Sequence, residues 1–334
     1  MKKTLFLLLL VAVIIFVAVR YFKHEEKQPV KIGISSCPGT AHVFIAQQKG
    51  FFEKNGVEVE LILKEDVTES SRMYRYGQVD GVFTLVPDVV IFNSEGIGTK
   101  IVYVVCSSSA NDVIVGRSEF DSLADLKGKK VGFEGVNTSS HVFVLKALEK
   151  AGVAESDIYF ESTYVSDILS ALEQGKIDAG HIWGVFKLQA LKSGYKILCT
   201  AADVPGVTTH VLVFDTKTVE NRPRDMEAIL KSILDARDYM YENMDEAIVI
   251  LSKALALDEE ELLEGINSIS HLDLKDNIEA MKQSEQMTSI YRHGAIAADF
   301  FWQKGQISRV PNFDRIVEPK FVKNLAAGPG GKAK

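Results

Sequence analysis

The sequence has few cysteines and no excess of positive charge, and both shortages narrow the possible functions. Cys37, Cys106 and Cys199 lie far apart and lack the spacing of metal ligands. We expect buried or free thiols, with one disulfide plus a spare thiol as the alternative. The net charge of −7, without a basic stripe carrying interleaved aromatics, argues against a nucleic-acid partner.

Sequence motifs for catalysis are also missing. The chain contains no nucleotide-binding glycine loop, no HExxH zinc motif and no GxSxG nucleophile elbow. The sequence therefore predicts no metal site, no cofactor and no catalytic residue. Any ATP-dependent step would need a separate chain.

One long hydrophobic run, Thr4–Val19, follows the basic start MKK. This is the outline of a secretory signal. The end of the run, VAV, makes a poor cleavage site, so we favour an uncleaved membrane anchor over a cleaved signal peptide. Residues 1–29 would form this segment plus a polar linker. Both alternatives predict a periplasmic or extracytoplasmic body, tethered to the cytoplasmic membrane if the anchor is retained.

Two stretches, Lys31–Phe52 and Lys130–Gly152, repeat one pattern of strand, polar loop and helix. Ile32 and Val131 are 99 positions apart, and Gly77 and Gly175 are 98 apart, which indicates an internal duplication. A strand that ends in a loop opening a helix directs free backbone N–H groups and a helix dipole at one place. The duplication therefore predicts two half-sites.

Alternating strands and helices indicate mostly parallel sheets flanked by helices, and the part of the chain from about residue 223 to 302 has amphipathic helical patterns. The predicted fold class is α/β with two lobes. In open α/β sheets, ligands bind beyond the carboxyl ends of strands, so the cleft between the lobes is the expected site. Residues 323–334 are expected to form a flexible tail.

Three segments carry a family resemblance: KIGISSCPGTAHVFIAQQKGFFEKNGVEVEL, SLADLKGKKVGFEGVNTSSHVFVLKALEKAG, and GKIDAGHIWGVF followed by AADVPG. They resemble the periplasmic substrate-binding proteins of ABC importers, in the branch serving nitrate, taurine, alkanesulfonates and thiamine-pyrimidine-like compounds. The resemblance extends from about Val30 to Val322. It implies a type II periplasmic-binding-protein fold, in which two lobes close on a ligand as in a Venus flytrap.

The resemblance also implies the division of the chain. Residues 31–112 and 211–322 would form lobe one, and residues 113–210 would form lobe two. The hinge would lie near Ala110–Val115 and Thr208–Phe214. Only the resemblance, and no periodicity, indicates that the chain returns to lobe one.

The first expected half-site contains Cys37, Gly39 and Thr40. Gly39 allows close approach of a backbone, and Thr40 offers a hydroxyl. The family uses this loop for ligand contact, whereas a turn plus a helix cap is the structural alternative. Catalytic use of Cys37 is not expected, because His42 is the only nearby base and lies within the helix.

The second expected half-site is the polar run Asn137, Thr138, Ser139, Ser140 and His141. Such a helix start can donate several hydrogen bonds to an oxyanion, whereas capping alone needs one of these residues. A position at the lobe interface without ligand contact is the alternative for His141.

Thr84 and Trp183 lie near the ends of the duplicated strands, and Trp183 could stack on an apolar ligand body. A plain core tryptophan is the alternative. Many relatives carry Glu-Pro after this aromatic residue, where this chain has Gly184-Val185, so the ligand class does not follow from the resemblance.

Among acidic candidates, Asp88 is expected to cap a helix and Asp112 to lie at the hinge. Asp203 is expected in a loop facing the cleft. There it would hold the amine of a zwitterion whose acid group binds at Thr138–Ser140.

The leading hypothesis is a monomeric, non-enzymatic binding protein that delivers a small organic, anionic or zwitterionic solute to separate ABC permease and ATPase chains. A membrane-tethered sensory module and an enzyme resembling the thiamine-pyrimidine synthases are the alternatives.

Overall fold

A computed structural model of the chain describes residues 28–108 and 110–328. The predicted signal or anchor within residues 1–27 lies outside the described residues. Within the described part, no helix is both long and apolar enough to cross a membrane.

The described strands, numbered in chain order, form two sheets. They are β1 Val30–Ser35, β2 Val59–Lys64, β3 Gly81–Leu85, β4 Thr99–Ser108, β5 Val113–Gly116, β6 Lys130–Phe133, β7 Tyr159–Ser162, β8 Ala179–Ile182, β9 Lys196–Thr200, β10 Thr209–Asp215 and β11 Ile269–His271. The first sheet has the order β11-β4-β10-β3-β1-β2, and the second has the order β7-β6-β8-β5-β9. The first sheet thus contains strands that precede the second sheet in the sequence and strands that follow it.

The two-sheet α/β architecture predicted from the sequence is confirmed, but the sheets are mixed rather than mostly parallel. Strand β1 is parallel to β2 and β3, and β6 is parallel to β7 and β8. Strand β10 is antiparallel to β3 and β4, and β5 is antiparallel to β8 and β9. The antiparallel pairs arise where the chain crosses between the sheets. It enters the second sheet along β5 and returns to the first sheet along β10, and these strands run antiparallel to β8 and β3 of the repeated units.

The internal duplication is visible in the register of the sheets. Ile32 pairs with Gly81 in the first sheet, and Val131 pairs with Ala179 in the second. The backbone N–H of Lys31 donates to the Asp80 carboxylate at 2.8 Å. The equivalent N–H of Lys130 donates to Asp178 at 2.9 Å.

Helices surround both sheets. Those before the crossing to the second sheet are Ala41–Gln48, Phe51–Lys54, Val67–Arg75 and Val86–Ser94. The second sheet carries Ser139–Lys150, Val165–Glu173 and Val185–Lys192. After the return come Thr216–Asn221, Pro223–Glu242, Met244–Leu255, Glu259–Asn267, Leu274–Ala280, Ile290–Gln303, Phe313–Ile316 and Lys320–Ala327.

The last of these helices differs from the flexible tail predicted from residue 323. It continues to Ala327, because Phe321 and Val322 are fully buried and hold it against the helix Pro223–Glu242. Residues 329–334 lie outside the described part of the chain.

Two separate groups of buried apolar side chains support the sheets. The larger one includes Ile32, Phe83 and Phe214 from the first sheet, all at most 1% exposed. The smaller one joins Val115 to Ile168 beneath the second sheet. Burying an aliphatic or aromatic side chain of this size stabilises the fold by roughly 1.5–3 kcal/mol. The larger group also includes Val131 and Ala179 of the second sheet, so the buried groups do not divide the chain into lobes, and the lobe boundaries stay a prediction.

Candidate functional site

A small cavity lies at the carboxyl ends of strands β1, β3 and β8, where open α/β sheets place ligands. Both sheets and the segment that crosses between them contribute to its walls. The lining residues are Ser35, Cys37, Val67, Leu85, Asn111, Asp112, Ser139, His181, Trp183 and His210. Its volume is about 20 Å³, enough for a group the size of one water molecule. We call it the inner cavity.

Asp112 is held firmly in the crossing segment. Its backbone N–H donates to Ser108 Oγ at 3.2 Å, and its carbonyl accepts from the N–H of Ala201 at 2.9 Å. The next residue back, Asn111, accepts from the N–H of Gly184 through its side-chain oxygen at 3.2 Å. These bonds fix the Asp112 carboxylate at the wall of the cavity.

Asp112, His181 and Ser140 form a buried polar chain. Asp112 Oδ1 lies 3.6 Å from His181 Nε2, and Ser140 Oγ lies 2.8 Å from His181 Nδ1. Ser140 Oγ also accepts from the N–H of Glu134 at 3.4 Å, and the tautomer of His181 sets whether Ser140 donates to Nδ1 or accepts from it. Asp112 Oδ2 and His181 Nε2 make no hydrogen bond within the described part of the chain.

His210 completes this side of the cavity from strand β10. Burial lowers the pKa of His210, and the charge of Asp112 opposes that shift. A buried imidazole with a lowered pKa is neutral at pH 7. It therefore does not balance the carboxylate of Asp112.

Trp183 lines both the inner cavity and a second space of about 120 Å³. This outer cavity is lined by Ser36, Pro38, Glu65, Asp66, Val165, Ser166, Trp183, Gly184, Phe186 and Leu257. The indole ring lies 5.0 Å from the ring of His181. Trp183 thus forms a wall shared by a polar inner space and a wider outer one.

Cys37 lines the inner cavity close to a second thiol, that of Cys106. A methyl group added at Gly39 would lie 2.6 Å from Cys106 Sγ and 3.6 Å from Cys37 Sγ, so the two sulfur atoms are neighbours. All three cysteines are free. Burial raises the pKa of the Cys37 thiol to about 12 and raises that of Cys106 strongly.

Of the predicted site residues, Cys37, Ser139 and Trp183 line the inner cavity. Gly39 and Thr40 are buried just behind it in the 3₁₀ turn Pro38–Thr40. The Thr40 hydroxyl donates to the carbonyls of Ser35 and Cys37, at 3.2 and 3.1 Å, so its role here is to hold the turn.

The hydroxyls of Thr84 and Thr138 are occupied elsewhere. Thr84 Oγ1 donates to Asp88 Oδ2 at 2.9 Å and lies 2.7 Å from Ser71 Oγ. Asp88 also accepts from Leu85 N and so caps the helix Val86–Ser94, as predicted; burial raises its pKa to about 6. Thr138 accepts from the N–H of His141 and caps the helix Ser139–Lys150.

Asn137 and His141, two further predicted contacts, also do not line the cavity. Asn137 is exposed in a left-handed turn conformation, with φ of 62°. His141 is 1% exposed and packs between Phe133 and Phe300, and burial lowers its pKa to about 4. It therefore occupies the packed interior rather than the cavity.

The expectation that Asp203 faces the cleft is also not met. Asp203 is exposed and ends a 3₁₀ turn, where its carboxylate accepts from Thr200 N at 2.9 Å and from Thr200 Oγ1 at 3.1 Å. The backbone bond from Thr200 is the main cause of its lowered pKa. A short local turn satisfies this carboxylate and turns it away from the cavity.

The sequence reasoning missed His181, His210, Ser35 and Asn111, all of which line the cavity. His181 lies in the duplicated segment KIDAGHIW, one position before the end of strand β8. His210 lies in the predicted hinge. Polar residues at strand ends and in hinge segments were the available signals.

The fold is that of the periplasmic binding proteins. The alkanesulfonate-binding protein SsuA of Xanthomonas axonopodis pv. citri, solved bound to MOPS, superimposes with a TM-score of 0.74 at 17% identity, covering 88% of this chain and 99% of SsuA. The chain belongs to the NMT1/THI5-like family, whose model matches residues 38–247.

Two relatives in sequence carry more specific names. A putative thiamine biosynthesis protein of Haemophilus influenzae is 28% identical over 294 residues, covering 85% of this chain and 89% of the relative. A formylaminopyrimidine-binding protein of Halalkalibacterium halodurans is 24% identical over 240 residues, covering 68% of this chain and 71% of the relative. The same fold also occurs in the desulfurization enzyme DSZB, with a TM-score of 0.65 and 12% identity. The relatives thus support a binding role, while the fold also occurs in an enzyme.

Proposed function

We propose that this chain is an extracytoplasmic solute-binding protein that captures a small organic ligand between its two lobes for delivery to an ABC importer. The observation that carries the proposal is the composition of the inner cavity. Ser35 comes from the first sheet, His181 from the second, and Asp112 from the segment between them. Such a site is complete only when both halves are together, so ligand binding is coupled to closure.

We propose the lobe division that the family resemblance implies. We place lobe one at residues 31–112 and 211–322 and lobe two at residues 113–210, with the crossings beside Asp112 and His210. Contacts across this boundary include Lys187 to Glu264 at 2.8 Å and an ion pair between Lys304 and Glu155. The Lys304–Glu155 pair is partly exposed and would separate at little cost when the lobes open. Lys187 is buried, and His141 packs against Phe300 across the same boundary, so opening would also expose side chains that are buried here.

An enzymatic role is disfavoured by the state of Cys37. A cysteine nucleophile acts as a thiolate, which requires a lowered pKa. Burial instead raises the pKa of Cys37 to about 12, so the thiol is protonated at neutral pH. The enzyme alternative would have to recruit a different nucleophile or a bound group.

The location outside the cytoplasm rests on the apolar run Thr4–Val19. We propose that this run exports the chain and tethers it to the cytoplasmic membrane, with the permease and ATPase as separate partner chains. Fractionation of cells that express the full chain tests this part. Recovery in the cytoplasm would contradict it, and recovery in the soluble periplasm would contradict the tether alone.

The binding role is tested by thermal unfolding of the purified chain against sulfonates, amines, amino acids and pyrimidines. A ligand at 100 times its dissociation constant stabilises the folded state by about 2.7 kcal/mol. Small-angle scattering with the same ligand should show a more compact chain. The Trp302→Phe variant should keep the same ligand-induced stabilisation, because Trp302 is 53% exposed and lies outside both cavities. Turnover of a bound compound would instead favour the enzyme alternative.

A further inference from the structure

The inner cavity contains an acceptor that lacks a donor. Asp112 is 6% exposed, and its Oδ2 atom has no hydrogen-bond partner among the described residues. Burying a carboxylate oxygen without a donor destabilises the folded state, because the oxygen loses its hydrogen bonds to water and forms no others. The contact with His181 at 3.6 Å involves the other oxygen, Oδ1, and leaves Oδ2 open.

The walls of both cavities carry acidic groups and no fixed cation. None of the described residues that line either cavity is a lysine or an arginine. Asp112 lines the inner cavity, and Glu65 and Asp66 line the outer one. Lys187, next in sequence to the lining residue Phe186, forms an ion pair with Glu264 at 2.8 Å. The charge of the walls therefore favours a positively charged occupant.

The sizes of the two cavities indicate a ligand with a small polar group and a larger body. The inner cavity, of about 20 Å³, holds one small polar group beside Asp112. The outer cavity, of about 120 Å³, holds a compact apolar or planar body. Trp183 lines both, so its side chain can contact a ring or a cation in either space.

We propose that the site takes a small organic cation, with its N–H group bound to Asp112 Oδ2 in the inner cavity and its body against Trp183 in the outer one. This inference rests on the proposed solute-binding function and names the class of its ligand. It replaces the expectation of an anionic or zwitterionic ligand, in which Asp203 would hold the amine of a zwitterion and Thr138–Ser140 its acid group. An N–H group of an ammonium or amidinium ion supplies the donor that Asp112 lacks, as a charge-assisted hydrogen bond.

The competing occupant is an anion held at the start of the helix Ser139–Lys150. Part of that helix start is already used, since Thr138 Oγ1 accepts from the N–H of His141 at 3.1 Å. An anion beside Ser139 would also share the same small cavity with the carboxylate of Asp112. Two like charges in a space with little water repel strongly. A sulfonate or carboxylate ligand is therefore disfavoured.

Calorimetric titration of the full chain with matched compounds tests the inference. Benzylammonium and benzamidinium present a cation on a single ring, and benzenesulfonate and benzoate present an anion on the same body. We expect binding of a cation and none of the matched anions. Asp112→Asn should weaken cation binding roughly 10- to 100-fold, the loss expected for one charge-assisted hydrogen bond. Asp203→Asn, at an exposed carboxylate outside both cavities, should leave it unchanged.

The outcomes separate the inference from the proposed function. Binding of an anion that Asp112→Asn leaves unchanged or strengthens would overturn the cation assignment and keep the solute-binding role. Cation binding with equal affinity in both variants would remove Asp112 from the site and overturn the inference. A full panel without binding in either charge class would count against both proposals. The Asp112→Asn chain must unfold at a temperature near that of the parent, and Asp112→Glu provides a second charged variant if it does not.

Discussion

Thr68 and Glu134 are joined by a hydrogen bond of 2.9 Å from the threonine hydroxyl to Glu134 Oε2. Thr68 lies on the helix Val67–Arg75 beside the first sheet, and Glu134 follows strand β6 of the second. The bond therefore ties the two halves together next to the cavity. Burial raises the pKa of Glu134 to about 8, with the charge of Asp66 as the second cause.

This relationship predicts a pH dependence of stability. Because the pKa of Glu134 in the folded chain exceeds its ordinary value of 4.5, the folded state binds the proton more tightly. Its stabilising contribution is complete below about pH 4.5 and is lost as the pH rises through about 8. At pH 9 we expect Glu134→Gln to unfold at a higher temperature than the parent. Its free energy of unfolding should be larger by at least about 1 kcal/mol.

The comparison of the two chains across pH isolates Glu134 from the other titrating groups. Below about pH 4.5 the difference should stop changing with pH, because Glu134 is then protonated in both the folded and the unfolded parent. A parent and a variant that differ by the same amount at every pH would contradict the raised pKa. Thr68→Val, which removes the donor, should lower stability at all pH values.

The packing at Gly39 predicts a substitution effect beneath the cavity. A Cβ atom at this position would lie 2.6 Å from Cys106 Sγ, closer than real side chains approach. Gly39→Ala should destabilise the chain by about 1–3 kcal/mol in chemical denaturation, the usual cost of overpacking a core. Gly33→Ala is the matched control, because its Cβ would meet Val82 at 3.4 Å. Adding Cys106→Ala should restore part of the loss in Gly39→Ala, and the absence of any rescue would place the strain elsewhere.

The thiols predict low reactivity in the native chain. Burial raises the pKa values of Cys37 and Cys199 to about 12, and Cys106 is shifted in the same direction. At pH 7.5, a disulfide reagent should therefore modify the three thiols slowly in the native chain and rapidly in the denatured chain. Rapid modification of Cys37 in the native chain would contradict this and would strengthen the enzyme alternative.

The contact between Ser140 and His181 predicts that Ser140 positions the His181 ring in the site. Its hydroxyl is 2.8 Å from His181 Nδ1 and also accepts from Glu134 N, and Ser140 itself is fully buried. Ser140→Ala should cost about 1 kcal/mol of stability and weaken ligand binding, because His181 loses the bond that orients its ring. Ser140→Thr keeps the hydroxyl and should retain more affinity than the alanine variant. Equal affinity in all three chains would show that the ring is oriented without Ser140.

Much of the fold could be predicted because its units are local. The strand, loop and helix patterns at Lys31–Phe52 and Lys130–Gly152 reappear as matching structure. The 98- and 99-residue offsets reappear as equal register in two sheets. Helix-ending glycines such as Gly77 and Gly175, with φ of 66° and 70°, are readable because few other residues adopt that backbone conformation. The mixed strand directions were not predictable from local patterns, because they depend on where the chain crosses between sheets.

The candidate site was only partly predictable, for a different physical reason. A polar residue contributes to a cavity only if its hydrogen-bonding capacity is not used by a neighbour. Thr84 and Asp203 are satisfied locally, while Asp112 retains a free oxygen. The sequence by itself determined the repeated α/β units and the region where a ligand site would form. Tertiary structure alone decided which side chains face that site, since the residues that line it come from positions as far apart as Ser35 and His210.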